Sequence, residues 1–267
     1  MTFGHNESDL RTGATAAGRH IDIVSALKQT ELFAGLPDSV LNNAANRTTA
    51  RQLKPGEVLF SEHDSASGLY VVVRGELRSI RQNQEGREQV LSTERAGAIL
   101  AASPVFNGGT FYSTTIAETR SDVLCIPTNA VHALCREHPE LLWNLARVFA
   151  NKVRHYAELI ETLALRNVDQ RLAQYLLSMC KERGVPHEGG CVVEITSTQT
   201  EIASRIGSTR EVTCRALARL QKSGFIRMTG ARLLTVPDER ALGSFAGIEH
   251  DLEGSPRVIS ELSSDIA

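Results

Sequence analysis

The sequence predicts an α+β chain: an antiparallel β-roll, one long helix, and a C-terminal module of short helices closed by a β-hairpin. Three observations carry that prediction. Between Thr49 and Pro127 short β-rich segments are punctuated by Gly56, Gly68, Gly75, Gly86, Gly97 and Gly108–Gly109. Between Pro139 and Arg166 apolar residues recur every seven positions. Between Ile195 and Ile226 two helix-start signals flank a single glycine.

The roll rests on candidate strands at Glu57–Ser61, Leu69–Val73, Glu76–Arg81, Gln89–Thr93, Thr114–Ala117 and Val123–Ile126. Strands this closely spaced, with glycine turns, close into a compact antiparallel roll or barrel. Before it, residues 1–20 are rich in Gly, Ala, Thr and Asn without periodicity, and are expected to form a disordered arm. Ile21 to Ala45 carries short amphipathic helical pieces, and Thr128 to Glu137 a further short helix that ends at His138–Pro139. The first domain is therefore set at residues 21–137.

Residues 138–166 read as one helix, with Pro139 in its first turn. Leu142, Phe149, Tyr156 and Leu163 repeat at intervals of seven, Leu145 and Leu159 lie at the offset of three, and Val153 and Ile160 widen the first stripe; Lys152 interrupts the second. This is a coiled-coil-like seam and predicts a homodimer. About 28 residues span ~42 Å, more than most small domains can cover. A helix packed only on its own domain is the competing reading.

From Asn167 the chain reads as a helix to Arg183, a Gly-Val-Pro-His linker, a strand at Val192–Ile195, two helices and a hairpin at Phe225–Met228 and Leu233–Val236, giving a module at 167–240. Between Arg166 and Arg240 there are 12 Lys/Arg against 8 Asp/Glu, in a chain whose net charge is −2. A locally basic module in an acidic chain suits one domain that meets phosphates. The tail, 241–267, holds one basic and five acidic residues and is expected to be mobile. No apolar run approaches the ~20 residues of a membrane helix, and the N-terminus lacks a secretory pattern. A cytoplasmic protein with no membrane partner is expected. The five cysteines, Cys125, Cys135, Cys180, Cys191 and Cys214, are odd in number and form no C-x-x-C, so neither disulfides nor a metal site is expected. The chain has no phosphate-binding Gly-Lys loop, H-E-x-x-H or G-x-S-x-G, and is not expected to be an enzyme.

The stretch ITSTQTEIASRIGSTREVTCRALARLQKSGFI, Ile195 to Ile226, is the most informative. Thr198-x-x-Glu201 is a capping box that starts a helix; Gly207 supplies the left-handed residue that ends it; Ser208-x-x-Glu211 offers a second box. Val212, Ala216, Leu217 and Leu220 form the core side of the next helix, while Thr209, Arg210, Thr213, Cys214 and Arg215 are offered outward. Two short helices about a tight turn, with a wing after them, make a DNA reader whose second helix enters the major groove. Arginine pairs bidentately with guanine, and a carboxylate accepts from the cytosine amino group. Glu211 could instead serve only to cap its helix. Thr198, Gln199 and Thr200 suit the DNA backbone, because helix N-termini bind phosphates. Ser208, Thr209, Thr213 and Cys214 are supporting candidates, and Arg219 and Lys222 phosphate contacts or a solvated face.

On this string, the long helix and LKPGEVLFSEHDSASGLYVVVRGEL in the roll, the chain resembles the Crp/Fnr regulators from about Leu32 to Arg240. The resemblance implies a cyclic-nucleotide-binding-type roll, a dimerisation helix, a winged helix-turn-helix on double-stranded DNA, and RNA polymerase as a partner. By motif position Arg210, Glu211 and Arg215 match the family's base-reading residues; Cys214 departs, standing where Gly or Ser is common.

The resemblance is weaker at the sensor. Family members that bind cyclic AMP place a Glu on the ribose and an Arg on the phosphate. Here Ala101 and Phe111 stand at those positions, in a stretch (GAILAASPVFNGGTFYSTTIA) with no ionised residue. A buried phosphate needs a charged partner or oriented donors, so cyclic AMP is not expected in the usual mode. An iron–sulfur cluster is not expected either, since no cysteine precedes Cys125. Haem on His63, His132 or Cys125 stays open. So do an apolar effector lined by Ile99, Leu100, Ala101, Phe106, Phe111 and Tyr112, a roll that senses nothing, and a redox response at Cys214. The effector itself is undetermined at this point.

Overall fold

A computed structural model describes residues 12–14, 20–187, 190–230 and 232–248. Two compact units divide at residue 161. In chain order the first contains β1 (Thr12–Ala14), β2 (His20–Asp22), α1 (Ile23–Lys28), α2 (Asp38–Ala45), β3 (Thr49–Leu53), β4 (Val58–Phe60), β5 (Gly68–Arg74), β6 (Leu77–Gln82), β7 (Glu88–Glu94), β8 (Ile99–Leu100), α3 (Ala102–Asn107), β9 (Thr114–Ala117), β10 (Ser121–Pro127), α4 (Thr128–Glu137) and most of α5 (Glu140–Leu165). Two antiparallel four-stranded sheets, ordered β3-β10-β5-β8 and β4-β9-β6-β7, make the expected roll.

Side chains alternate across the pleat, and the alternation builds two cores. Leu69 and Val71 of β5 and Leu124 and Ile126 of β10 face a helical layer containing Leu27, Phe33, Leu41 and Leu134. Tyr70 and Val72, with Val123, turn into the roll against Phe60, Leu77, Leu100 and Phe111. The expectation of an unstructured arm fails in part. Thr12–Ala14 pairs antiparallel with His20–Asp22, which satisfies backbone groups that composition alone left unpaired; the rest of residues 1–19 lies outside the described residues.

The long helix, expected over 138–166 with Pro139 in its first turn, runs over Glu140–Leu165, and its apolar residues divide between two tasks. Leu141, Leu145 and Val148 are buried against the helical core, and Phe149 packs there edge-on to Phe106. Asn144 is buried and donates to the Leu32 and Ala34 carbonyls at 3.0 and 3.1 Å. Tyr156 bonds Tyr112 through their hydroxyls at 3.0 Å. Leu142, Val153 and Ile160 are left exposed, the last two by 69% and 67%. Their spacings of 11 and 7 residues are close to whole turns, so they form one stripe. The expected stripe divides accordingly: Leu145, Phe149 and Tyr156 pack on or bond to the helix's own roll, Leu159 and Leu163 are half-buried, and Leu142, Val153 and Ile160 are exposed.

The second unit runs through α6 (Val168–Arg183), β11 (Val185–His187), β12 (Gly190–Glu194), α7 (Gln199–Arg205), α8 (Arg210–Lys222), β13 (Arg227–Thr229), β14 (Leu233–Val236) and α9 (Glu239–Ala246). Its sheet is ordered β11-β12-β14-β13, so the expected linker at 184–187 is instead an edge strand. Leu172 and Leu176 of α6, Ile202, Ala216, Leu220, Leu234 and Leu242 meet in one core. The start of the expected mobile tail is helical, because Leu242 and Ala246 are buried in this core and Asp238 caps α9; residues 249–267 lie outside the described residues. No helix among the described residues is long and apolar enough to cross a membrane.

Candidate nucleic-acid interface and sensor pocket

The capping box before α7 forms as expected: Thr198 Oγ1 accepts from the Glu201 amide at 3.2 Å, and Glu201 Oε2 accepts from the Thr198 amide at 2.6 Å. The helix ends in a Schellman-type turn. Gly207 takes φ +64°, and the Ser208 amide donates back to the Ala203 carbonyl at 2.8 Å.

That bond determines how α8 begins. It draws Ser208 into the turn, where it is buried, and leaves Thr209 extended as the N-cap of α8, its hydroxyl accepting from the Val212 amide at 3.4 Å. The second capping box is therefore not formed. Glu211 caps nothing: its side chain is 81% exposed and pairs with Arg215, one turn on, at 3.3 Å. Arg210, Glu211 and Arg215 stand exposed over the first turns of α8.

Other expected contacts sort differently. Thr198, Gln199, Thr200, Thr209 and Lys222 are exposed. Ser208 and Thr213 are buried, and Thr213 Oγ1 donates to the Thr209 carbonyl at 2.9 Å, so both hold the turn and neither is presented outward. Cys214 Sγ donates to Gln199 Oε1 at 2.7 Å, tying α8 to the start of α7. Arg219 turns away to Asp169. Beside α8 a cavity of about 450 Å³ is lined by Thr198, Gln199, Cys214, Gln221, Met228 and Arg232. Arg227 and Arg232 of the wing are exposed cations outside the set expected from sequence. Their signal was the hairpin itself, whose flanking basic residues stay solvated because a two-stranded edge cannot bury them.

In the roll, Leu100, Ala101, Phe111 and Tyr112 line one cavity with Phe60, Ser79 and Lys152, and its volume is about 10 Å³. Phe111 fills it: 3% exposed, it stacks on Phe60 with ring centroids 4.0 Å apart. Ser79 and Thr115, both buried, bond each other at 2.9 Å. Buried Glu94 accepts from Ser92 at 2.9 Å and from Lys152 of α5 at 2.7 Å. Ile99 and Phe106, also expected here, belong to the helical core, since Ile99 points to the opposite side of β8 from Leu100. A larger open cavity of about 460 Å³ lies beyond the Glu94–Lys152 pair, lined also by Glu31, Asn151 and His155. Of the three residues named for haem, His132 Nε2 lies 2.8 Å from the Val105 carbonyl, His63 is exposed beside Glu62, and burial pushes the Cys125 thiol up.

Residues 50–138 match the cyclic nucleotide-binding domain, and residues 170–245 match the Crp-like helix-turn-helix domain. The chain belongs to the Crp/Fnr family. It is a transcription regulator of that type, with a helix-turn-helix DNA-binding domain and an N-terminal cyclic-nucleotide-binding-type sensor domain. It is 27% identical to the CRP-like cAMP-activated global transcriptional regulator of Mycobacterium tuberculosis, over 80% of this chain and 96% of that one. It is 26% identical to the fumarate and nitrate reduction regulatory protein of Salmonella typhi, over 74% and 78%. In fold it is similar to a Crp/Fnr-family regulator from Eubacterium rectale, with TM-score 0.69 and 23% identity over 82% of this chain and 99% of that one.

Proposed function

We propose that this regulator binds an inverted-repeat operator as a homodimer and reads bases with Arg210, Glu211 and Arg215. The observation that carries this reading is the division of labour at the start of α8. Thr209 caps the helix, so the carboxylate of Glu211 and the two guanidinium groups remain exposed where a recognition helix meets base edges. Thr198, Gln199 and Thr200 at the start of α7, with Lys222, contact the phosphate backbone, and the exposed stripe Leu142, Val153 and Ile160 is the dimer seam. The protein acts in the cytoplasm with RNA polymerase, as a regulator and not a catalyst. Cyclic AMP is not its effector, because Phe111 occupies the space and Lys152, the cation at its edge, is taken by Glu94.

Selection of bound duplexes from a random pool tests the reading. The enriched sequences are expected to be inverted repeats, with a G·C-containing step in each half and half-sites about one helical turn apart. A pool without a two-fold motif would overturn it.

A further inference from the structure

The first turns of α6 carry two charged side chains directed at the DNA-reading helices. Asp169 takes Arg219 of α8 on both carboxylate oxygens, from Nε at 2.7 Å and from Nη2 at 2.5 Å. Arg171 donates from Nη1 to the carbonyl of Gly207, the turn between α7 and α8, at 3.3 Å. One short segment of α6 therefore holds both the recognition helix and the turn that launches it.

The apolar inner face of α8 is small: Ala216 and Leu220 are buried, and Leu217 packs against the same core half-buried. Ala216 offers a single methyl group. Base reading tolerates errors of only about 0.5 Å and 10–20° in side-chain placement. A helix side chain reaches ~5–6 Å from the axis, so a 20° rotation of α8 would carry Arg210 and Glu211 out of register. A two-point Arg–carboxylate fork is planar and directional, and it is made at the edge of α8 that faces α6. Arg219 spends Nε and Nη2 on this fork, with its side chain 53% exposed.

We propose that Asp169, through Arg219, sets the rotation of the recognition helix, so that the pair is a positioning device for base reading. This rests on α8 being the helix that reads bases. The pair is half-exposed, and its contribution to overall stability is small; its effect lies in where Arg210 and Glu211 point.

The test uses the full-length protein with Asp169→Asn, Arg219→Gln, the double variant and Asp169→Glu, against the operator selected by the wild type and against random duplex. Each single variant is expected to lose about three- to tenfold in operator affinity, with binding to random duplex retained and the salt slope unchanged. The double variant should be no worse than either single one, and Asp169→Glu should restore most of the loss. The sign for Asp169→Asn is decisive. Removing an acidic charge from a DNA-binding unit tightens binding by simple electrostatics, whereas loss of positioning weakens it. Tighter binding by Asp169→Asn, a fall of about one per half-site in the salt slope for Arg219→Gln, or unchanged affinity in both would overturn the proposal. Retained binding to random duplex marks a folded unit; if a variant loses it, Asp169→Glu alone decides, and its failure to bind like the wild type counts against a fork that tolerates one added methylene. Failure of the wild type to select any sequence would instead overturn the base-reading assignment beneath it.

Discussion

The inside of the roll and the first turns of α8 use their polar and charged groups in opposite ways. In the roll, Ser79 bonds Thr115, Glu94 takes Ser92 and Lys152, Tyr112 takes Tyr156, and Phe111 stacks on Phe60. Each group finds its partner within the chain, and about 10 Å³ remains. At α8 the capping work is done by Thr209 and Ser208 is withdrawn into the turn, so Arg210, Glu211 and Arg215 face solvent with only one exposed ion pair among them. An exposed pair of this kind contributes little to stability, and its groups are available to a ligand at little cost. Satisfied polar groups in a closed space stabilise the fold; solvent-exposed ones at a helix N-terminus leave that surface open to a ligand.

The sharpest attack on the roll side is Phe111→Ala. Removing a ring that is 3% exposed should cost about 3–5 kcal/mol in denaturant unfolding. A loss under about 1 kcal/mol would mean that the pocket collapses or was never closed by this ring. In the same protein, calorimetry at millimolar cyclic AMP is expected to show no binding by the wild type; micromolar binding coupled to tighter DNA association would remove the contrast altogether.

Next in size is the seam. Val153→Asp with Ile160→Asp places charge on two residues that the roll does not use, and sedimentation should show monomer, with operator affinity down by about a hundredfold, or ~2.7 kcal/mol. Phe149 and Tyr156 are poorer targets, because changing them injures the roll. An unchanged dimer would leave the exposed stripe unexplained.

On the reading side, Arg210→Ala should cost about 1–3 kcal/mol per half-site and relax preference at one base position. If its selected pool keeps the wild-type half-site, this arginine does not read bases. The smallest effect belongs to Lys222→Ala, which should weaken all sequences alike and lower the salt slope by about one per subunit, measured by titration over a range of salt.

Much of this was legible in the residues. The Thr198–Glu201 box, the helix-ending glycine at 207, and the succession of a short helix at 128–137 and a long one after it all depend on local chemistry, which a string of residues states directly. The departures share a different cause. Ser208 and Thr209 are both good caps by type, and the choice between them was made by the bond from the Ser208 amide to the Ala203 carbonyl. The apolar repeat of α5 announced a seam but not which residues the roll would take first. Its periodicity counts apolar positions without recording what each one touches. Arg219 looked like any cation on a basic helix until Asp169, 50 residues earlier, was found against it. Local propensity and pattern were determined by the sequence alone, because they act over one or two turns of chain. The partner of each charged or apolar side chain was decided only by the tertiary structure, because burial and pairing depend on residues brought together from distant parts of the chain.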